Sequence, residues 1–419
     1  PSWHKPLLHT RSLQRCLTRG RVSAPACVAS IGNAMDHILA KDSPLRKALT
    51  VAVLAGGVSG LVLCLRRKRL LGFPLVIRRN LWQWAQPETP QDPSASWLKE
   101  QREARLWGFN ADTPLERFLG IVPWWAREDA TNVQHKSVIS SLDGASIPIR
   151  IYSPRSRPHS GVTGVYFHGG GWVFGGYNSN HGVSTHDHIA KYWSAQAGIV
   201  SVMVDYRKSP EHKYPVPLQD CLDVLRWCSD QIHQLGGDER QLFVGGDSAG
   251  GNLAVASCLK ARDDGWKGFS LGARALRGMI LVYPCVSRKL VGELGGSYER
   301  FSRGFGLSRQ TMAWFWEMYL GRAVEASLDA AVERYAAPLD APGMDWSGLP
   351  PALTLFADHD VLYDDGAQLI ERLRGAGIPV VSKTVPYPLH GSFSRREDPA
   401  AFERFMSSCL AWIGTLSEK

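Results

Sequence analysis

A serine flanked by glycines is the residue of this chain best placed to act as a nucleophile. The stretch reads Gly246-Asp247-Ser248-Ala249-Gly250, between an apolar run at 242–244 and a helical pattern at 252–259. A G-x-S-x-G sequence at a strand-to-helix turn lifts the serine hydroxyl above the sheet, and the following helix directs its positive N-terminus at the site. The turn is too sharp for side chains at Gly246 and Gly250. The motif therefore predicts an acyl-transfer nucleophile at Ser248.

A glycine-rich motif lies upstream of this serine. It reads His168-Gly169-Gly170-Gly171-Trp172 and follows an apolar run at 162–167. Consecutive glycines let the backbone approach a ligand closely and turn its N–H groups inward. Loops of this HGGG type donate hydrogen bonds to a developing oxyanion, together with the N–H of the residue after the nucleophile, here Ala249. A glycine loop without function is the weaker alternative, because the serine motif follows at the expected later position.

A base and an acid should follow the serine in chain order. An apolar run at 352–357 ends in a loop with four aspartates, and a run near 379–385 ends in a loop with His390. Polar residues at the carboxyl ends of strands are where open α/β sheets build sites. His390 is therefore the candidate base, which takes the Ser248 proton and returns it to the leaving group. The residues alone leave the acid open among Asp358, Asp360, Asp364 and Asp365.

Taken together, these motifs resemble the hormone-sensitive-lipase group of α/β-hydrolases, in particular its arylacetamide deacetylase and neutral cholesterol ester hydrolase branch. The likeness extends over about residues 162–410. Five blocks carry it: HGGGW at 168–172, DYRKSPEHKYPVPLQD at 205–220, GDSAGGNLA at 246–254, HDVLYDDG at 359–366 and HGSF at 390–393. Where the group usually reads YRLAPEH, this chain has YRKSPEH at 206–212. That block is structural in the group, so the departure affects no expected catalytic residue.

The resemblance implies a role for each motif residue. It makes Asp360 the acid that orients His390, and it makes Gly170, Gly171 and Ala249 the oxyanion donors. Five further residues would support the two motifs: His168, Gly169, Gly246, Asp247 and Gly250. The implied enzyme is a serine hydrolase of carboxylic esters that works through an acyl-enzyme, without a metal or organic cofactor. Amide deacetylation on the same triad and a non-catalytic ligand-binding protein are the alternatives.

Apolar runs alternate with helical stretches, which predicts an α/β fold with a mostly parallel eight-stranded sheet and helices on both faces. The eight strands are expected near 135–140, 146–152, 162–167, 199–204, 242–245, 277–283, 352–357 and 379–385. The catalytic domain should span 131–419. By the resemblance, a helical cap would combine a segment within 66–130 with an insertion near 286–345. Tryptophans cluster in 81–125, and an apolar cap would suit an acyl or aryl group, although core packing explains such residues equally well.

Positive charge is concentrated at the beginning of the chain. Residues 1–80 hold 14 Lys and Arg against 2 Asp and Glu, whereas the other 339 residues hold 34 against 37. The catalytic body thus lacks the basic surface expected for nucleic-acid binding. A basic leader at 1–47 precedes an uncharged apolar stretch at 48–65, which is long enough to span a bilayer. These features predict a single-pass membrane anchor, and the arylacetamide deacetylase likeness implies that the membrane is that of the endoplasmic reticulum. A cleaved transit peptide to another organelle is the alternative.

Neither the cysteines nor the histidines point to a metal centre. The eight cysteines show no metal-ligand spacing and no compact disulfide pattern. His181, His186 and His188 lie close together in the sequence but lack acidic or cysteine partners nearby, so loop or helix-surface positions are favoured over a metal site. The expected partner is a small-molecule or lipid ester, and the oligomeric state stays open.

Overall fold

A computed structural model describes residues 93–99, 101–102, 130–155, 158–178, 183–238, 241–266, 276–292, 295–303, 305–394 and 399–417. The chain divides into two compact units, 1–90 and 91–419, and every described residue belongs to the second unit.

An eight-stranded sheet organises this unit. Its strands lie in the order β1-β2-β6-β3-β7-β8-β9-β10. The pairs β1–β2 and β2–β6 are antiparallel, and all the other pairs are parallel. The bounds are β1 Thr131–Ile139, β2 Ser146–Pro154, β3 Thr163–Phe167, β6 Val200–Val204, β7 Leu242–Asp247, β8 Gly278–Val282, β9 Ala352–His359 and β10 Val380–Leu389. Two short strands, β4 Tyr177–Asn178 and β5 Val183–Ser184, form a separate pair. The predicted eight-stranded, mostly parallel sheet is confirmed.

Helices cover both faces of the sheet. The helices are α1 Asp187–Ala197, α2 Val216–Gln231, α3 Ala249–Asp263, α4 Ser297–Arg300, α5 Arg309–Leu320, α6 Ala330–Ala336, α7 Tyr363–Gly375 and α8 Pro399–Ser417. Side chains of β3 alternate between two cores: Val165 and Phe167 pack in one with α2, α3 and α7, whereas Tyr166 packs in the other with α1 and α8. Both faces of the central strands are therefore buried, which explains their continuous apolar sequences.

The chain between β8 and β9 carries α4, α5 and α6, in the region where the insertion near 286–345 was expected. The aromatic side chains of α5 point into the core: Trp314, Phe315, Trp316 and Tyr319 are all buried. The N-terminal cap segment expected within 66–130 is described only at 93–99, 101–102 and 130. There, Leu98 is buried in the core, and Trp97 meets Trp314 edge-on with ring centroids 6.2 Å apart.

The expected membrane location has to be corrected. Within the residues that the structure describes, no helix is long and apolar enough to cross a membrane. The longest of these helices, α8, buries Phe402, Phe405 and Ile413 against the sheet, so its apolar stripe serves the fold. Because no such helix is found in the described part of the chain, the predicted endoplasmic-reticulum membrane location is withdrawn. The apolar stretch 48–65 and the basic leader 1–47 lie outside the described residues.

Candidate active site

The turn between β7 and α3 holds Ser248 in a strained backbone conformation. Ser248 has φ 57° and ψ −120°, a combination that non-glycine residues rarely adopt. A Cβ at Gly250 would lie 1.9 Å from the carbonyl oxygen of Phe167, and one at Gly246 would lie 2.3 Å from that of Gly250. Only glycine permits this close approach of strand, turn and helix. The turn leaves the Ser248 side chain at the C-terminal end of the sheet, ahead of α3.

Three side chains from distant parts of the sequence meet at this turn. The Oγ of Ser248 lies 3.1 Å from Nε2 of His390, and Nδ1 of His390 lies 2.7 Å from Oδ2 of Asp360. Asp360 is completely buried, and its second oxygen, Oδ1, accepts a hydrogen bond of 2.9 Å from the N–H of Leu362. The aspartate is thus held by its own loop, and the imidazole is held by the aspartate. The predicted serine, histidine and aspartate are brought together.

The neighbouring aspartates have other partners. Asp358 lies 2.7 Å from His359, and Asp364 accepts a 2.6 Å hydrogen bond from the N–H of Ser297. Asp365 is fully buried and accepts hydrogen bonds from the N–H groups of Val286 and Ser287. Of the four acids left open by the sequence, Asp360 is the one that contacts His390.

The glycine loop lies beside the serine turn. Gly170 and Gly171 have φ 120° and 61°, and a Cβ at Gly171 would fall 2.2 Å from the Phe315 ring of α5. Within the described chain, no hydrogen bond uses the N–H of either glycine. Ala249 is the first residue of α3, so its N–H has no partner within the helix. These three backbone donors are available to an anionic oxygen.

Asp247 connects the serine turn to the glycine loop. Its Oδ1 accepts hydrogen bonds from the N–H of Gly169 at 2.9 Å and from the hydroxyl of Tyr166 at 2.7 Å. Complete burial alone would raise the pKa of this carboxyl. The facing His186 ring, the Tyr166 hydroxyl and the Gly169 N–H outweigh burial and lower the pKa of Asp247 to about 2. Asp247 is therefore an ionised, fully engaged carboxylate next to Ser248 in the sequence.

His168 supports the same loop through packing. Its ring stacks on Tyr206 with centroids 4.3 Å apart, and the Tyr206 hydroxyl donates a 2.7 Å hydrogen bond to the His168 carbonyl. Burial first, and the nearby Lys208 charge second, hold the pKa of His168 well below its usual value. We therefore treat His168 as a neutral packing residue.

Sequence reasoning missed several residues around the site. His186 was expected in a loop or on a helix surface, but it is buried, 3.4 Å from Oδ2 of Asp247. His188 is also buried, with its ring 5.4 Å from that of Phe402, and His181 lies outside the described residues. Tyr283 packs against His390, with ring centroids 4.6 Å apart. Contacts between segments this far apart leave no local pattern, so no sequence signal was available to find them.

Residues 164–394 match a protein-family model described as the alpha/beta hydrolase fold. The chain belongs to the α/β-hydrolase family. Among curated members, Carboxylesterase NlhH of Mycobacterium tuberculosis is 35% identical over 249 residues, which cover 58% of this chain and 70% of that protein. Arylacetamide deacetylase of Oryctolagus cuniculus is 26% identical over 301 residues, covering 59% and 73%. The hormone-sensitive-lipase resemblance agrees with these matches.

A solved esterase has a similar architecture. The hyperthermophilic esterase from Pyrobaculum calidifontis aligns with a TM-score of 0.64 and 29% sequence identity, covering 81% of this chain and 98% of that one. The predicted fold class is thereby confirmed at the level of the family.

Proposed function

We propose that this protein is a serine hydrolase that cleaves carboxylic esters through an acyl-enzyme intermediate. The observation that carries the proposal is the continuous hydrogen-bonded chain from Ser248 through His390 to the buried Asp360, next to three available backbone donors. The named carboxylesterase and esterase relatives support the same reaction class.

The proposed reaction begins at the Ser248 hydroxyl. Nε2 of His390 accepts its proton while Oγ attacks the ester carbonyl, and Asp360 stabilises the imidazolium that forms. The N–H groups of Gly170, Gly171 and Ala249 bind the carbonyl oxygen as it becomes negative. His390 then returns the proton to the leaving alcohol, and a water activated by the same imidazole releases the acid.

The substrate is proposed by class, as a short-chain, aryl or lipid ester. Amide deacetylation is the second candidate, because the same acyl-enzyme chemistry cleaves both bonds and the 26% identical arylacetamide deacetylase carries that name. A non-catalytic binding protein on this fold has less support, because such a protein would lack a triad member and all three are in contact here.

Replacement of the nucleophile tests the proposal. We expect Ser248→Ala to abolish the acyl-enzyme burst, to lower kcat by several orders of magnitude (about 10⁶-fold when a triad serine is lost), and to abolish labelling by a fluorophosphonate. The wild type should hydrolyse p-nitrophenyl esters, and a series of increasing chain length together with p-nitroacetanilide would define acyl size and ester-versus-amide preference. Undiminished labelling of Ser248→Ala would refute the role of this serine.

A further inference from the structure

The loop that carries the proposed oxyanion donors is unusual in its backbone. Its positive φ angles are 120°, 61°, 58°, 91° and 93°, at Gly170, Gly171, Trp172, Gly175 and Gly176. Its internal support comes from the N–H groups of Val173 and Phe174, which donate to the carbonyl of Gly170 at 3.3 and 2.9 Å. Four of these five residues are glycines, which adopt positive φ without strain and restrain the backbone least, so the loop is held in place by its contacts with the surrounding structure. The N–H of Ser209 and the stacked ring of Tyr319 hold Trp172 in the middle of the loop, and further contacts hold its two ends.

The beginning of the loop is fixed to the nucleophile turn. Asp247, the residue before Ser248, accepts the hydrogen bond from the N–H of Gly169 at 2.9 Å. A Cβ at Gly169 would lie 2.5 Å from the same carboxylate, so loop and carboxylate are in direct contact. The first oxyanion donor, Gly170, is the next residue in the chain.

The end of the loop returns to the same carboxylate through two buried side chains. The N–H of Gly176 donates to Oγ1 of Thr185 at 3.1 Å, and Oγ1 lies 2.5 Å from Nδ1 of His186. Nε2 of His186 lies 3.4 Å from Oδ2 of Asp247. Thr185 and His186 are 1% and 3% exposed, so these bonds are shielded from competition with water.

Donors and acceptors match along this path. With the imidazole proton on Nε2, His186 donates to the ionised Asp247, and its Nδ1 accepts the proton of the Thr185 hydroxyl. The Thr185 oxygen keeps a lone pair for the N–H of Gly176. A carboxylate accepts up to four hydrogen bonds, so Asp247 has room for Gly169, Tyr166 and His186 together.

We propose that Thr185 and His186 are positioning residues, which fix the end of the loop 169–176 to Asp247 and so set where Gly170 and Gly171 meet the oxyanion. The inference rests on the proposed function, since these N–H groups matter only if an oxyanion forms at Ser248. Because the donors bond the transition state more strongly than the substrate, displacing them lowers kcat and leaves KM nearly unchanged.

The test compares variants of the full chain on p-nitrophenyl acetate and on a trifluoromethyl ketone, whose serine adduct carries the oxyanion. His186→Leu should lower kcat by about 10–100-fold with KM changed less than threefold, since a displacement of about 1 Å can cost this much. The affinity for the ketone should fall by a similar factor. His186→Gln should recover most of the activity, because its amide can donate to Asp247 and accept from Thr185.

Two further variants separate positioning from folding. His188→Leu removes a neighbouring buried imidazole that packs against Phe402 of α8, and it should keep kcat within twofold. Thr185→Val preserves the shape of the side chain but removes its hydroxyl, and it should lower kcat by about 3–10-fold. If His186→Leu does not fold, this variant alone tests whether the two residues position the loop.

Several results would overturn the proposal. Equal losses in His186→Leu and His188→Leu, or unchanged ketone affinity in a folded His186→Leu or Thr185→Val protein, would show a structural role alone. A wild-type protein without esterase activity or Ser248 labelling would instead refute the proposed function, and this inference with it.

Discussion

At the scale of single residues, the aspartates between the end of β9 and the first turn of α7 have separate chemical environments. Asp358 lies against a half-exposed histidine, Asp360 holds His390, and Asp365 is sealed in the interior. Asp358 and Asp360 are only two positions apart, yet their carboxylates contact different histidines. The contact with His390 makes Asp360 the proposed orienting acid, and matched substitutions can test this role.

We expect Asp360→Asn to lower kcat by about 10⁴-fold, because the amide cannot hold the tautomer of His390 that accepts the Ser248 proton. Asp358→Asn and Asp364→Asn make the same substitution at neighbouring positions, and each should lower kcat by less than about tenfold. Steady-state kinetics on p-nitrophenyl acetate would measure all three. If Asp358→Asn were the crippling change, the acid would be misassigned by two positions.

At the scale of elements, the β7–α3 turn brings a strand, a helix and the glycine loop closer together than side chains would permit. Gly250 lies under the carbonyl of Phe167 at the end of β3, so the helix packs directly on the neighbouring strand. The strained φ of Ser248 is maintained by this packing and by a 2.9 Å hydrogen bond from its N–H to Val282. Glycine is thus required at position 250 for space, whereas an added Cβ at Gly414 in α8 would meet no atom within 4 Å.

Two Gly→Ala substitutions should have opposite effects on the free energy of unfolding. Gly250→Ala places a Cβ 1.9 Å from a carbonyl oxygen, and should destabilise the fold by at least about 3 kcal/mol. Gly414 is exposed to solvent and lies within α8. Gly414→Ala has no atom within 4 Å of the new Cβ and should stabilise the fold by about 0.5–1 kcal/mol. Urea unfolding would measure both. A well-folded, equally stable Gly250→Ala protein would contradict the packing argument.

At the scale of the whole molecule, buried carboxyls connect the insertion to the sheet. Asp365, in the first turn of α7, accepts hydrogen bonds from two backbone N–H groups that follow β8. Burial raises the pKa of Asp365 well above its usual value, and the nearby Asp340 charge raises it further, against the lowering effect of those hydrogen bonds. The folded state therefore favours the protonated form of this acid.

The sign of the resulting pH dependence follows from linkage. Since the pKa of Asp365 is higher in the folded than in the unfolded state, its contribution to stability is largest below the unfolded pKa, about 4, and is lost as pH rises through the folded pKa. Asp247, with its pKa lowered to about 2, acts in the opposite direction: its contribution is lost as pH falls from about 4 towards 2. Because Asp247 is common to wild type and variant, its effect cancels in the difference between them.

We expect Asp365→Asn to gain stability over the wild type as pH rises from 4 to 8, by about 1.4 kcal/mol per unit of pKa shift. Denaturant unfolding at several pH values would measure the difference. Asp230→Asn, the same change on the exposed side of α2, should show no such trend. A constant difference for Asp365→Asn across this pH range would show that the acid is not preferentially protonated in the folded state.

Several features of this fold and its candidate site could be predicted from local sequence patterns. The central strands were predictable because strands buried on both faces have continuous apolar sequences. The serine turn and the glycine loop were predictable because their backbone geometry demands glycine at set positions. The positions of Ser248 and His390 at strand ends followed from the same patterns. These signals are local, since each is produced by a few adjacent residues.

Which side chains meet depends on how the folded elements are arranged. Asp360 was separated from its neighbours by the geometry of the β9 and β10 loops, which brings it to a histidine 30 residues away. His186 lies against Asp247, 61 residues away in the sequence, and Phe315 of α5 lies against Gly171 of the glycine loop. Such contacts depend on the relative placement of elements, which no short stretch of sequence encodes. The contact of Asp360 with His390, which the resemblance implied, and the bonds at the ends of the glycine loop are therefore seen directly only in the folded chain.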